Sequence, residues 1–172
     1  IADLDFRGEF YTHTLMTPVF DPGPHRHGRA NVHVAGVGPA MTQVAGEVAD
    51  GFIAHPFNTA DSLRELTWPA LDAGIAAAGR DRGGVERVVV CLAATGADGA
   101  ELDAAIATVR RQLAFYASTP AYARVLEVHG WEGLQPTLNA MSKEGRWDDM
   151  AALVPDEMLE SIAVVGRRDA VA

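Results

Sequence analysis

A glycine-rich stretch between two apolar runs is the first candidate for chemistry in this sequence. Gly36, Val37, Gly38 and Pro39 follow one apolar run and precede a helical pattern. A helix N-terminus offers unpaired backbone N–H groups and the positive end of the helix dipole, which suit a phosphate or a carboxylate. The two glycines lack a Cβ atom, so a ligand could approach the backbone closely. Spacing alone leaves open whether the turn binds a ligand or only joins a strand to a helix, because G-x-G without a third glycine is a weak motif.

Two polar residues, His55 and Asn58, closely follow the next apolar run. Polar residues after strands are commonly turn formers, but in a barrel the functional loops also follow the carboxyl ends of the strands. Spacing leaves both interpretations open. His55 is not assigned as a catalytic acid, because such a role depends on geometry that a sequence does not give.

The other reactive residues form no recognisable site. His25 and His27 lie in a loop rich in proline and glycine without further ligands, so we predict no metal site. Cys91, the single cysteine, lies in an apolar run and is predicted to be a small core residue rather than a nucleophile. Glu47 and Asp50 are interpreted as solvated charges on a helix. The sequence also lacks a Walker loop and a zinc motif.

Strands and helices must alternate to position these residues. Residues 32–35 and 52–54 are predicted strands, joined by a helix that begins at Pro39, and the two strands should be parallel with a right-handed crossover. Gly51 suits the left-handed residue that often ends such a helix. An apolar stripe on the helix is predicted at Met41, Val44, Ala45 and Val48.

The later part of the chain repeats the alternation with longer helical stretches. A helix that Pro69 should either kink or restart is predicted to end at Gly79. Residues 88–94 form an apolar run without alternation, which predicts a strand buried on both faces of a parallel sheet. Asp98 can cap a long helix, and residues 162–165 are the last predicted strand. Four aromatic residues are predicted to pack between helices rather than around a cofactor: Phe115, Tyr116, Tyr122 and Trp131.

Composition limits the classes of partner. The 172 residues are 48% hydrophobic and 22% charged, which is ordinary for a globular domain. The net charge of −9 argues against nucleic acid and anionic membranes as partners. No apolar run approaches the roughly 20 residues that span a bilayer, and a single cysteine fits a reducing cytoplasm. Because the chain begins with Ile1, we expect it to be a piece of a longer protein.

Several segments together resemble the luciferase-like monooxygenase superfamily (LLM class), especially its branch that uses deazaflavin coenzyme F420. The segments cover almost the whole chain: FRGEFY at 6–11, VAGVGPAMTQVAGEVADGFIAHP at 34–56, RRQLAFYASTPAY at 110–122, HGWEGL at 129–134 and SKEGRWDDM at 142–150. The resemblance implies an α/β fold that is the C-terminal half of a (β/α)₈ TIM barrel, with strands five to eight and their helices.

The implied domain is single and incomplete. Residues 1–30 would form an irregular insertion before strand five, and residues 31–172 the β/α half-barrel. Four strands cannot close a barrel, so the outer edges of the sheet should stay unpaired. Most residues that face the cofactor ring in the family come from strands one to four, so the fragment alone is expected to be inactive.

The resemblance also implies a function. The intact protein would be a cytoplasmic, homodimeric oxidoreductase that transfers a hydride between coenzyme F420 and a small organic substrate. The turn from Gly36 to Pro39 would bind the cofactor, and His55 and Asn58 would border the substrate. Two alternatives stay open: an FMN-dependent monooxygenase of the same superfamily, and a non-enzymatic half-barrel that serves as a binding or assembly module.

Overall fold

A computed structural model describes residues 4–21, 23 and 26–171, which divide into two compact units between residues 31 and 32. The first unit contains a small hairpin in which β1 (Phe6–Arg7) pairs antiparallel with β2 (Thr12–His13). Gly8 closes the turn by donating its backbone N–H to the Tyr11 carbonyl at 2.9 Å. His25 lies outside the described residues.

The second unit begins with the predicted strand–helix–strand segment. β3 (His33–Gly36) leads into α1 (Pro39–Val48), which leads into β4 (Gly51–Ala54). The two strands are parallel, as predicted, with Val34 opposite Phe52. Pro39 occupies the start of the helix, where its missing N–H costs nothing.

A helix broken by a π-helical turn follows. α2 (Ala60–Ser62) begins with a reciprocal cap, in which Ser62 donates its N–H to Thr59 Oγ1 and Thr59 donates its N–H to Ser62 Oγ. The π-helical turn (Leu63–Thr67) then leads to α3 (Trp68–Ala77). Pro69 lies in the first turn of α3, so the predicted restart is confirmed. Gly79 ends the helix with φ +63°, also as predicted.

Two parallel sheets organise the rest of this unit. β5 (Glu86–Val89) joins β4, and β6 (Leu92–Gly96) pairs with β7 (Ala163–Arg167), which gives the orders β3-β4-β5 and β6-β7. The remaining elements are α4 (Gly99–Ser118), α5 (Ala123–Glu127), α6 (Leu134–Lys143), α7 (Trp147–Met150) and α8 (Asp156–Ile162).

The single strand predicted at residues 88–94 is divided in the structure. β5 ends at Val89 and β6 starts at Leu92, so Val90 and Cys91 form the connection from the first sheet to the second. Cys91 is exposed, and its prediction as a core residue is therefore wrong. An unbroken apolar run predicts burial on both faces, whereas two of its valines, Val89 and Val90, each keep 42% exposure here.

The stripe predicted on α1 is also wrong, apart from Ala45. Met41, Val44 and Val48 are exposed, whereas Ala45 and Gly46 are buried. A Cβ atom at Gly46 would overlap the Leu71 carbonyl, so α1 lies against α3 through its small residues. Close backbone approach selects side chains for small size rather than for apolar character, and the larger apolar residues are turned outward.

The contact between α1 and α3 is reinforced at one end by an arginine. Gly74 faces α1 so closely that a Cβ atom would overlap the Gln43 carbonyl. Arg80 donates hydrogen bonds of 2.7 Å to the carbonyls of Gly46 and Ala49, which lie at the C-terminal end of α1. A cation at this position satisfies late carbonyls and complements the helix dipole.

Gly51 has a different role from the one that the sequence predicts. It begins β4 without a positive φ, and α1 ends instead at the extended residue Ala49. The His33 ring lies where a Cβ atom of Gly51 would be, and His33 Nε2 is 2.8 Å from Glu86 Oε2. The missing side chain thus makes room for a hydrogen bond that crosses β4.

The larger core lies between the second sheet and helices α4 to α8. On α4, Val109 and Leu113 are buried and Ile106 packs against the same cluster. Asp98 caps this helix by accepting the Glu101 N–H at 2.9 Å. The fully buried large side chains of this core are Phe57, Leu113, Leu126, Leu138, Met150 and Met158.

Helices cover only one face of each sheet in the described chain. Val34 and Phe52 pack against α1 and α3, whereas Ala35, on the opposite face of β3, is exposed. Val164 on β7 keeps 47% exposure. Within the described residues β3 and β7 each pair on one side only, so the strands close no barrel and the predicted unpaired edges are confirmed. None of the described helices is both long and apolar enough to cross a membrane.

The substitution Gly74→Ala tests the close contact between α1 and α3. The new methyl group would overlap the Gln43 carbonyl, and overpacking costs up to about 3 kcal/mol. Alanine returns about 1 kcal/mol through its better helix propensity, so we expect a net loss of about 2 kcal/mol in the free energy of unfolding, measured by urea denaturation. Gly99→Ala is the matched control, because nothing lies within 4 Å of its Cβ position. Equal stability of the two variants would contradict this packing.

Candidate functional site

A cavity of about 160 Å³ lies at the carboxyl ends of β3 and β4. Its walls come from the turn at 36–39, from residues 52–58, from the π-helical turn at 65–67 and from residues 121–125. All six residues predicted to bind cofactor or substrate line it: Gly36, Val37, Gly38, Pro39, His55 and Asn58. The structure thus brings together two groups that the sequence separates by 15 residues.

The glycine turn presents bare backbone to the cavity. Gly38 precedes α1 with φ 81° and ψ 160°, and no side chain caps the helix. The first N–H groups of a helix have no intrahelical partner. Pro39 has no N–H and Thr42 donates its own to the Gly38 carbonyl, which leaves those of Ala40 and Met41 without a partner inside α1. No atom lies within 4 Å of the Cβ position of Gly38, so a ligand can reach this backbone. Thr42 holds the turn in place by donating from Oγ1 to the Gly38 carbonyl at 2.9 Å.

His55 is fixed on several sides. The Phe57 N–H donates to Nδ1 at 3.1 Å, and Nε2 lies 3.2 Å from Tyr122 Oη. The imidazole stacks on the Tyr122 ring with 4.6 Å between centroids, and the Tyr116 ring meets it edge-on at 4.8 Å. Burial lowers the pKa of His55 below its ordinary value of 6.5, so the ring is neutral at pH 7.

Asn58 uses its amide within the protein. Nδ2 donates to the His55 carbonyl at 2.8 Å, and Oδ1 accepts from Ser62 Oγ at 3.0 Å. The residue lines the cavity, but its polar atoms join the segment after β4 to the cap of α2. Asn58 therefore orients the wall that carries His55.

Five polar residues of the cavity were not predicted from the sequence. They are Thr42, Glu65, Thr67, Tyr122 and Arg124. Thr42 could have been found, because it follows Gly38 by one helical turn. Tyr122 lies 67 positions from His55, and only the packing of α4 and α5 brings it to the site. Of the four aromatic residues assigned to helix packing, Tyr122 also lines the cavity.

The described residues provide no metal centre. Among them, no three histidine, cysteine, aspartate or glutamate side chains are placed to share an ion. The charged residues at the cavity are Glu65 and Arg124, one acidic and one basic. Such a mixed rim, next to a neutral imidazole and a glycine turn at the start of a helix, suits an organic ligand with an anionic part.

Comparison with known proteins gives the family. A family model described as luciferase-like monooxygenase matches residues 2–172. The chain belongs to this family. The family resemblance inferred from the sequence segments is therefore confirmed, and the protein is called the luciferase-like chain below.

Its relatives are about twice as long. An uncharacterized protein of Mycobacterium tuberculosis is 51% identical over 169 residues, which cover 98% of this chain and 50% of the relative. The 5,10-methylenetetrahydromethanopterin reductase of Archaeoglobus fulgidus is 29% identical over 148 residues, which cover 83% of this chain and 42% of the enzyme. The luciferase-like chain thus spans about half the length of the curated relatives that it matches.

A solved structure supports the fold. The coenzyme F420 dependent tetrahydromethanopterin reductase from Methanopyrus kandleri superposes with a TM-score of 0.63 and 24% identity, over 82% of this chain and 39% of that chain. At this identity the likeness concerns the fold alone, an α/β arrangement with parallel strands.

The neutral His55 makes a pH-dependent contribution to stability. Because burial lowers its pKa in the folded state, the unfolded state binds more protons as the pH falls below about 6.5. This contribution is complete above that pH and is lost on acidification toward the folded pKa. We expect His55→Gln to flatten the dependence of the unfolding free energy between pH 7.5 and 5, relative to the parent. A difference between the two proteins that does not change with pH would contradict a buried neutral imidazole.

Proposed function

We propose that the luciferase-like chain supplies the second half of a (β/α)₈ oxidoreductase that transfers a hydride between coenzyme F420 and a small organic substrate. One observation carries the proposal: the Gly36–Pro39 turn and the His55 wall form one cavity at the carboxyl ends of adjacent parallel strands. Enzymes with barrels of this type collect their active sites at that end. The choice of coenzyme is supported by a sequence relative, the F420-dependent glucose-6-phosphate dehydrogenase of Mycolicibacterium smegmatis, which is 33% identical over 86 residues that cover 50% of this chain and 24% of the enzyme.

The residues fit part of such a coenzyme. A phosphate or carboxylate accepts hydrogen bonds from the free N–H groups of α1, and the helix dipole favours its charge. The absence of a Cβ atom at Gly38 leaves the space for this approach. The cavity of about 160 Å³ is smaller than the roughly 300–1,000 Å³ of a typical ligand pocket, so the rest of the coenzyme would extend beyond it.

The protein contributes position and environment to the reaction. When bound, the coenzyme supplies the hydride chemistry. Phe52, Phe57 and Tyr122 provide apolar surface that excludes water from the ligand. The turn at Gly38 anchors the charged part, and the wall at His55 faces the ring or the substrate.

The assignment to strands five to eight is part of this proposal. Helices cover one face of each sheet, and within the described residues β3 and β7 each pair with a strand on one side only. Relatives of twice the length have enough chain to supply them. Because the opposite sheet face would then line the barrel, the 172 residues alone are expected to be inactive. The small substrate, the cytoplasmic location and a homodimer belong to the same proposal.

A second candidate is an FMN-dependent monooxygenase. The description of the matching family model, luciferase-like monooxygenase, favours it. FMN carries a phosphate and a tricyclic ring, so the cavity does not distinguish the two coenzymes. Fluorescence titration of the protein at its full native length with each coenzyme does. Tight binding of FMN and none of coenzyme F420 would overturn the first choice.

A non-enzymatic binding or assembly module is the third reading. It predicts that the 172-residue chain folds alone, binds neither coenzyme and shows no redox activity at any length of the native protein. Coenzyme binding by the full-length protein would exclude it.

The substitution Gly38→Ala tests the anchoring turn. Gly38 has φ 81° and ψ 160°, a region that is essentially restricted to glycine, so alanine would distort the turn. We expect coenzyme F420 to bind at least tenfold more weakly, measured by fluorescence. Gly79→Ala is the matched control: it also has a positive φ, of 63°, and open space at a helix end, but it lies outside the cavity wall. Both variants should lose stability, and an equal loss of affinity would refute the anchoring role.

A further inference from the structure

The Tyr122 hydroxyl has a neighbour that determines where its proton points. Its oxygen lies 3.2 Å from His55 Nε2, and either atom could donate in this contact. The other ring nitrogen decides between them, because Nδ1 already accepts the Phe57 N–H at 3.1 Å. Nδ1 therefore carries a lone pair, and a neutral imidazole must carry its proton on Nε2.

This tautomer makes His55 the donor and Tyr122 the acceptor. In the reverse arrangement Nδ1 would be protonated and would face the Phe57 N–H, donor against donor. Since Nε2–H donates to Tyr122 Oη, the phenolic proton cannot point back at His55. Within the described residues Tyr122 has no other hydrogen-bond partner, and its side chain lines the cavity.

Three other polar side chains of the cavity have less to offer a neutral acceptor. Asn58 donates its amide to the His55 carbonyl, and Thr42 donates its hydroxyl to the Gly38 carbonyl. Arg124 is exposed and suits an anion better than a neutral oxygen. Two hydroxyl groups therefore remain available as neutral donors at this cavity in the described structure, those of Tyr122 and Thr67. Tyr122 is the one whose proton is oriented by a neighbouring side chain, His55.

We propose that Tyr122 donates a hydrogen bond to a carbonyl oxygen of the bound ligand, with His55 as the residue that orients its hydroxyl. The inference is built on the proposed function, because the carbonyl belongs either to the ring of the coenzyme or to the organic substrate. Burial, and then the neighbouring Tyr116, raises the pKa of the Tyr122 phenol above its ordinary value of 10. The group therefore stays protonated and acts as a donor rather than as an acid.

Nuclear magnetic resonance tests the orientation without any coenzyme. A long-range ¹H–¹⁵N spectrum of the protein, labelled at histidine, reports which ring nitrogen carries the proton. We expect the Nε2–H tautomer for His55 in the parent and in Tyr122→Phe, because the Phe57 N–H fixes it in both. The Nδ1–H tautomer in the parent would overturn the proposal.

Binding tests the donor itself. Tyr122→Phe keeps the stacked ring but removes the hydroxyl, and one lost neutral hydrogen bond weakens binding by about five- to tenfold. Tyr116→Phe is the matched control, because it removes a hydroxyl from the same aromatic cluster. The Tyr116 hydroxyl accepts from Gln112 Nε2 at 2.8 Å, and the residue does not line the cavity. Thermal unfolding confirms that both variants are folded.

The constant that changes in Tyr122→Phe shows whether the carbonyl belongs to the coenzyme or to the substrate. Both measurements use the protein at its full native length. A weaker Kd for coenzyme F420, by fluorescence, assigns the carbonyl to the ring, and a raised KM at saturating coenzyme assigns it to the substrate. If coenzyme F420 does not bind the parent, the three proteins are titrated with FMN, whose ring carries equivalent carbonyl groups. A loss confined to Tyr122→Phe with FMN would uphold this inference while the choice of coenzyme failed. Unchanged Kd and KM in Tyr122→Phe, or no binding of either coenzyme, would overturn it.

Discussion

The near-contact of two helix backbones is the constraint on which the site depends. α1 and α3 meet through Gly46 and Gly74, where neither helix has room for a Cβ atom. This contact fixes the rotation of α1 about its axis and, with Arg80 at its far end, its position along the sheet. The N-terminal end of α1 and its glycine turn are thereby held at the end of β3. A larger residue at either glycine would move the turn as well as destabilise the fold.

The opposite wall of the cavity depends on a separate core. His55 and Phe57 follow β4, but the rings that hold them come from the end of α4 and the segment before α5. Phe57 belongs to the buried cluster of that second core, whereas the turn at Gly38 is positioned by the first. The cavity therefore forms where two independently packed layers meet, and each layer supplies one chemical component: backbone donors from one, aromatic rings and hydroxyl groups from the other.

Short-range patterns predicted much of this arrangement. The strand–turn–helix–strand order, the cap at Asp98 and the restart at Pro69 depend on residues within a few positions of each other, and the structure confirms them. The face that α1 buries was not predictable, because it depends on how closely α3 approaches and not on apolar periodicity. The exposure of Cys91 depends on which faces of the sheets are covered by helices. Tyr122 reaches the cavity only through the packing of helices that lie far from His55 in the sequence. The backbone part of the site could thus be predicted from neighbouring residues in the sequence, whereas the side chains that complete the site could not.

The division of one apolar run into two strands leaves Cys91 accessible to thiol-specific labelling. Cys91, the single cysteine of the sequence, is exposed at the point where the first sheet gives way to the second. A thiol-reactive fluorophore or nitroxide would attach there at one defined position, without removal of competing sulfhydryls. Its spectrum would change when another polypeptide shields this junction, so association could be followed directly in solution.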